Sequence, residues 1–250
     1  MAILVMRPFP DNEATAAALR EAGYGVLLSP ALRFEPIAIR DEPDAHYNAV
    51  IVTSANALRG LVGQPLLERL HETKVFAVGD ATAQAARGFG FRDVESASGD
   101  AVALCELVEA RLRGSGQICY LAGADLSRDL GTDLGTRGYN VTTLTTYRMT
   151  PLLHFSEAVE AAFAAGDVEA VLHYSRRSAQ SFVGAVKAAG LEISALALPQ
   201  CCISDVVAAV LREAGASRVL AAASPDENAI FETLYRAIPV KRRAAKSGKG

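Results

Sequence analysis

Leu144-Thr145-Thr146-Tyr147-Arg148-Met149-Thr150-Pro151 is the stretch at which the chain divides: the residues before it and those after it read as one unit and its echo. It continues a segment rich in β-branched residues from Val141 to Thr146, which favours a strand. Pro151 discourages an immediate helix, so an extended crossing segment is expected. Tyr147 stands at its middle. A phenol is protonated at neutral pH and can donate a hydrogen bond or a proton, but position alone favours a rim tyrosine that packs through its ring.

Outward from this crossing, the pattern on both sides is strand, small-residue turn, helix. Before it, Val50-Ile51-Val52 runs into Thr53-Ser54-Ala55-Asn56, and a helix is expected over Ala57–Leu70. Val75–Val78 leads through Gly79 into a helix over Asp80–Arg87, Val94 through Ser98-Gly99-Asp100 into Ala101–Leu112, and Ile118–Leu121 into a helix over Asp125–Gly135. After it, a helix over Phe155–Ala165 precedes the strand Ala170–Tyr174, which ends in Ser175-Arg176-Arg177-Ser178 before a helix over Ala179–Ala189. Cys201–Ile203 then ends at Ser204-Asp205, and Val219–Ala222 at Ser224-Pro225 before a helix from Asp226 to Arg236. Such alternation predicts parallel, doubly wound sheets.

The echo is numerical. Gly79, Gly90 and Val94 shifted by 125 fall on Ser204, Gly215 and Val219, and Ser98 and Leu104 shifted by 126 fall on Ser224 and Ile230. This correspondence implies two related α/β units in one chain. The block Ala49–Tyr147 carries its own five strands, whereas the block after Pro151 has three and needs the strands Ile3–Met6 and Val26–Leu28 to complete it. The expected organisation is an outer domain from 1–36 and 149–240, an inserted domain from 37–148 and a basic tail at 241–250, with Ala31–Ile39 and Thr145–Pro151 crossing side by side.

Composition narrows the function. In 250 residues, half are hydrophobic and 21% charged, values of an ordinary globular chain. A net charge of −3 argues against non-specific nucleic-acid binding. No apolar run approaches the ~20 residues of a membrane span, and the N-terminus reads as a strand rather than a secretory signal, so a cytoplasmic protein is expected. Cys105, Cys119, Cys201 and Cys202 show no metal-like spacing with His46, His71, His154 and His173. Buried thiols are expected, with Cys201 and Cys202 on opposite faces of one strand. The cluster Lys241-Arg242-Arg243 reads as a solvated tail.

In open parallel sheets, ligands gather at the carboxyl ends of strands. Those ends are Arg7-Pro8, Thr53-Ser54-Ala55-Asn56, Gly79-Asp80-Ala81-Thr82, Ser175-Arg176-Arg177-Ser178, Ser204-Asp205 and Ser224-Pro225. They are small and hydroxylated and lead into helix starts, whose free N–H groups attract anions. Each serine alone is explained as a helix cap; together they suggest a cleft for a ligand with several carboxylates, held chiefly by main chain. There is no G-x-G-x-x-G after a strand, no Walker A sequence and no G-x-S-x-G elbow. His173 has no visible partner for work as a base.

The ordered set Val5-Met6-Arg7-Pro8, Val52-Thr53-Ser54-Ala55-Asn56-Ala57, Val78-Gly79-Asp80-Ala81-Thr82-Ala83, Tyr147-Arg148-Met149-Thr150-Pro151 and Ala223-Ser224-Pro225 resembles the motif series of the uroporphyrinogen-III synthase family, from Ile3 to about Ala237. The resemblance implies two flavodoxin-like α/β domains of the HemD type, the second inserted into the first through a two-stranded connector. It implies a lyase that closes the linear tetrapyrrole hydroxymethylbilane to uroporphyrinogen III, with loss of water and inversion of ring D, without metal or cofactor. Tyr147 falls on the family's functional tyrosine and is the expected catalytic residue. The expected substrate-binding residues are Arg7, Thr53, Ser54, Ala55, Asn56, Gly79, Ala81, Thr82, Ser175, Arg176, Ser178, Ser204 and Ser224. A monomer with transient contact to the preceding biosynthetic enzyme is expected, with no nucleic-acid or membrane partner. Met6, Ser224 and Ala122-Gly123-Ala124 depart from the family pattern, where Thr, Thr and an Arg-Gly pair are common. A two-domain binding protein for a small polycarboxylate is the alternative from another class.

Overall fold

The computed structural model describes residues 1–40, 45–112, 116–126 and 128–239; the basic tail expected at 241–250 lies outside them. The chain opens with strand β1 (Ala2–Val5), helix α1 (Asp11–Glu21) and strand β2 (Val26–Leu28). Next come β3 (Leu32–Pro36), β4 (Ala49–Val52), α2 (Ala55–Arg59), α3 (Pro65–Leu70), β5 (Lys74–Ala77), α4 (Asp80–Gly88), β6 (Val94–Ser96), α5 (Ala101–Arg111), β7 (Gln117–Gly123), α6 (Leu130–Thr136) and β8 (Asn140–Pro151). The return comprises α7 (Glu157–Ala164), β9 (Val168–His173), α8 (Arg176–Ala188), α9 (Glu192–Leu196), β10 (Gln200–Cys202), α10 (Asp205–Glu213), β11 (Val219–Ala221) and α11 (Glu227–Ala237).

Two compact units result: Met1–Arg33 with Thr150–Gly250, and Phe34–Met149. The divisions fall a few residues from the positions read in the sequence. Contacts inside the inserted unit explain the shift, since Phe34 stacks on Tyr147 and Met149 receives the Asn56 amide.

The outer unit holds a sheet in the order β11-β10-β9-β1-β2, all its pairs parallel. The inserted unit holds β3-β8-β7-β4-β5-β6, with β4 through β8 paired in parallel. Aligning β11-β10-β9-β1-β2 with β6-β5-β4-β7-β8 shows one strand order in two permutations: the outer unit begins with the two strands that the inserted unit ends with. The 125-residue echo has a structural basis in this order. Gly79 and Ser204 both precede helices, and Gly90 and Gly215 both adopt positive φ, 96° and 88°. Asp100 and Asp226 both cap the next helix with a carboxylate oxygen.

Both sheets are buried on two faces, which is why their strands read as continuous apolar runs. Along β1, Leu4 packs into one core and Ile3 and Val5 into another. Along β4, Val50 and Val52 are divided in the same way from Ala49 and Ile51. Cys202 and Cys201 also fall on opposite faces. All four cysteines are buried thiols outside any disulfide, and burial pushes those of Cys201 and Cys202 up to about 12.

The crossings are hydrogen bonded to each other. Leu152 N–H donates to Ala31 O at 2.9 Å and Ile37 N–H to Thr146 O at 2.9 Å, so residue numbers rise on one strand as they fall on the other. The Ser181 hydroxyl of α8 lies 2.7 Å from Ala31 O and 2.9 Å from Leu152 O, which ties exit and return to one helix.

Two local expectations change. The single helix over Ala57–Leu70 is two, α2 and α3, because the turn between them takes Gly63 to φ +77°. The helix expected from Asp125 starts at Leu130, where Asp129 accepts the Thr132 N–H. The short α9 had no periodic signature in the sequence.

His173 is fully buried on β9. Gln200 Nε2 donates to Ala195 O and Leu198 O, so its Oε1 faces His173 Nε2 at 2.8 Å, and the ring must donate from that nitrogen. Its role is structural. Burial, only partly offset by the Gln200 bond, lowers its pKa from 6.5 to about 4. The unfolded chain therefore takes up this proton first as pH falls. The contribution is complete above the unfolded value and is lost progressively down to the folded one, by about 3 kcal/mol in all. His173→Gln keeps a donor toward Gln200 and is expected to lose less stability than the parent between neutral and mildly acidic pH in urea unfolding; an equal loss contradicts this assignment.

Candidate active site

In the inserted unit the topological switch lies between β4 and β7, adjacent strands whose onward connections run to opposite sides of the sheet. β4 runs out into Thr53 and Ser54. Ser54 has extended backbone, φ −153° and ψ 141°, and its hydroxyl accepts the Asn56 N–H at 3.2 Å. Ala55 opens α2. The Asn56 Oδ1 accepts Arg59 Nη1 at 2.6 Å, and its Nδ2 lies 3.9 Å from Met149 Sδ. Thr53 engages the buried Tyr120 phenol, whose pKa is raised first by burial.

The neighbouring β5 delivers Gly79 ahead of α4, with no side chain capping the helix start. A Cβ at Gly79 would meet nothing within 4 Å, so the space over this strand end is open. Thr82 itself is buried against the unit. The acid in this turn, Asp80, is turned toward Ser98 at 3.0 Å, and hydrogen bonds from Ser96 and Ser98 hold its carboxyl below the usual range. The N–H groups of this helix start are thus left without a side-chain cap, although the ionised Asp80 adds a negative charge to its first turn.

Tyr147 belongs to the same rim. It pairs with Gly123, the last residue of β7, and is half-buried. Its ring stacks on Phe34 with centroids 5.7 Å apart and planes at 21°. The Ala124 N–H donates to the Tyr147 carbonyl at 2.8 Å.

In the outer unit the switch lies between β1 and β9, and a side-chain network occupies it. Arg7 Nη1 donates to Glu227 Oε1 and to Thr15 Oγ1, both at 3.2 Å, and Thr15 donates to the same carboxylate. Tyr174 Oη lies 3.4 Å from that oxygen, and Arg7 stacks over the Tyr174 ring at 4.7 Å. Burial raises the Tyr174 pKa, and the Glu227 charge raises it further. Thr15, Tyr174 and Glu227 escaped sequence reading because they come from α1, β9's end and α11, with no local signature.

The remaining outer-unit candidates differ in availability. Ser175 accepts the Ser178 N–H at 3.0 Å and donates to Ser178 Oγ at 2.8 Å, so both serines are engaged in the cap of α8, and Ser178 is fully buried. Arg176 is exposed at the first position of α8. Ser224 bonds to Asp226. Ser204 stands before α10 without a cap bond. Thus Gly79 and Ser204, the pair related by the echo, both precede helix starts free of side-chain caps. No group of three or more metal-binding side chains occurs among the described residues, and no described helix is long and apolar enough to cross a membrane.

Two permuted doubly wound units, each with an uncapped helix start at a strand end and one of them with a stacked tyrosine on its rim, define a two-domain α/β protein. The family model described as "HEM4: Uroporphyrinogen-III synthase HemD" matches residues 13–232. This chain belongs to the uroporphyrinogen-III synthase family. Among solved structures, the uroporphyrinogen-III synthetase of Helicobacter pylori is similar at 18% identity over 94% of this chain and 98% of that one, with a TM-score of 0.66. A mutant uroporphyrinogen III synthase of Thermus thermophilus is similar at 20% identity over 95% and 98%, with a TM-score of 0.56. At these identities the likeness concerns the fold. A search of curated proteins finds no match.

The Arg7 network has a measurable consequence. Glu227→Ala removes the acceptor shared by Arg7 and the buried Thr15, and the expected loss of stability is about 1–3 kcal/mol. Chemical denaturation checks this, and unchanged stability contradicts the clamp.

Proposed function

We propose that this protein closes hydroxymethylbilane to uroporphyrinogen III, the reaction of its family. The family match across residues 13–232 carries the reading. The geometry suits it: this substrate bears acetate and propionate groups along a flexible chain, and the rims offer uncapped helix starts.

Within this reading the N–H groups at the starts of α4 and α10 receive carboxylates, as helix N-termini favour anions. Gly79, Ala81 and Thr82 supply the first site and Ser204 the second, with Thr53, Ser54, Ala55 and Asn56 beside Tyr147 on the rim. Arg176 adds an exposed guanidinium in the outer unit. Ser175, Ser178 and Ser224 act by shaping helix starts. Arg7, engaged with Glu227 and Asp11, holds α1 and α11 in place in preference to gripping substrate.

The chemistry requires a hydroxyl to leave and a carbon–carbon bond to form. Tyr147 donates the proton with which the hydroxyl departs as water, leaving an electrophilic azafulvenium ion. The substituted carbon of ring D attacks it to give a spiro intermediate, whose reopening and reclosure invert that ring. The proton finally lost from ring D balances the one donated. Holding the two ends of a flexible chain in reacting geometry supplies several kcal/mol of the barrier reduction.

Supplied with hydroxymethylbilane, the protein is expected to yield the type III isomer; type I at the proportion and rate seen in buffer contradicts the reading. Tyr147→Phe is expected to lower kcat by roughly a hundredfold, the scale of general-acid catalysis, with little change in KM. Unchanged kcat removes Tyr147 from the proton transfer.

A further inference from the structure

We infer that Gly123 and Gly60 are positioning residues that aim Tyr147 by admitting a β-bulge at Thr146. This rests on the proton-donor role given to Tyr147 above. On a regular strand, residues three apart point to opposite faces. Leu144 and Tyr147 nevertheless pack against the same core. The register explains it: Ala122 pairs with Thr145 and Gly123 with Tyr147, so Thr146 is an extra residue opposite β7. A bulge shifts the alternation by one and re-aims the side chains beyond it. Without it Tyr147 would face away from this core and Arg148 toward it; Arg148 is instead exposed and Met149 buried.

The bulge needs room on two sides, and a glycine supplies it on each. A Cβ at Gly60 would stand 2.3 Å from Thr146 O and 2.8 Å from its carbonyl carbon, a backbone collision that no rotamer relieves. That same carbonyl accepts the Ile37 N–H at 2.9 Å, so it is held from the β3 side as well. A Cβ at Gly123 would stand 2.7 Å from Tyr147 Cζ and 2.9 Å from its Oη. Gly60 has φ −65° and ψ −18°, open to any residue, and Gly123 has no positive φ. Both positions therefore call for glycine because of space, not conformation. Phe34 bounds the ring by stacking. The phenol is confined between the end of β7 and β3, and its hydroxyl lies over a strand end that carries no side chain.

Gly123→Ala tests this, with Gly135→Ala, whose Cβ meets nothing within 4 Å, as control. Gly123→Ala is expected to lower kcat by roughly ten- to a hundredfold, the cost of displacing a reacting group by about 1 Å, with KM within about twofold; Gly135→Ala leaves both at the parent values. In the Tyr147→Phe background, where no hydroxyl remains to be misplaced, Gly123→Ala is expected to cost less than about twofold more. Parent kcat in Gly123→Ala, or full additivity of the two changes, overturns the inference. If Gly123→Ala folds poorly, thermal unfolding decides: its deficit should vanish when Tyr147→Ala removes the ring, and persistence of the deficit overturns the inference. Failure of the parent to form type III product would count instead against the reaction.

Discussion

An inserted unit can interrupt a folded one only if the chain leaves and returns at nearly the same point, and here that requirement is met by hydrogen bonds around Ala31, Leu152 and Ser181. Leu152 N–H reaches Ala31 O, and the buried Ser181 hydroxyl approaches both carbonyls. Groups that an exit and a return would otherwise bury unpaired are thereby satisfied. With the crossings pinned to α8, the outer sheet closes as β11-β10-β9-β1-β2 although its strands come from both ends of the sequence. The rims inherit their layout from these parallel orders, which put the starts of α4 and α10 at equivalent places and Tyr147 level with the end of β7.

The two rims have diverged in what fills them. At the outer switch point the space is taken by Arg7, Thr15, Tyr174 and Glu227, charges and hydroxyls that satisfy one another. At the inserted switch point the corresponding strand end is Gly123, with no side chain, and a tyrosine from the next strand covers it. One rim is braced by a polar network and the other is open around an oriented phenol. On the proposed reading, a phenol held in place beside an open strand end fits a reaction whose difficulty lies in holding a flexible chain in one shape.

Much of this is legible in the sequence, for identifiable reasons. Strands buried on both faces leave continuous apolar runs, and the shift linking Gly79 with Ser204 and Gly90 with Gly215 is the trace that a shared architecture leaves in the residues themselves. The inserted arrangement comes from counting strands. Other features are hidden because they depend on contacts between distant residues. Arg7 has the chemistry of an anion ligand, but Glu227, 220 positions away, occupies it. Ser175, Ser178 and Ser224 carry the right chemistry at the right strand ends, yet their hydroxyls are largely engaged locally. The bulge at Thr146 has a trace in the spacing of Leu144 and Tyr147, but only pairing with β7 shows which residue is extra. Gly60 gives no sign, because its value lies in the carbonyl of Thr146, on a strand far along the chain.

The central claim is that carboxylates are received by main-chain N–H groups at the uncapped helix starts of each unit, with Tyr147 on the same rim as α4. It is tested most directly by titrating isotope-labelled protein with uroporphyrin III, an oxidised and stable form of the product, and following backbone amide resonances. The largest shifts are expected at Ala81 and Thr82 and at the start of α10, together with the Tyr147 ring. Saturable binding with shifts confined to other surfaces, and none at these amides, would contradict it.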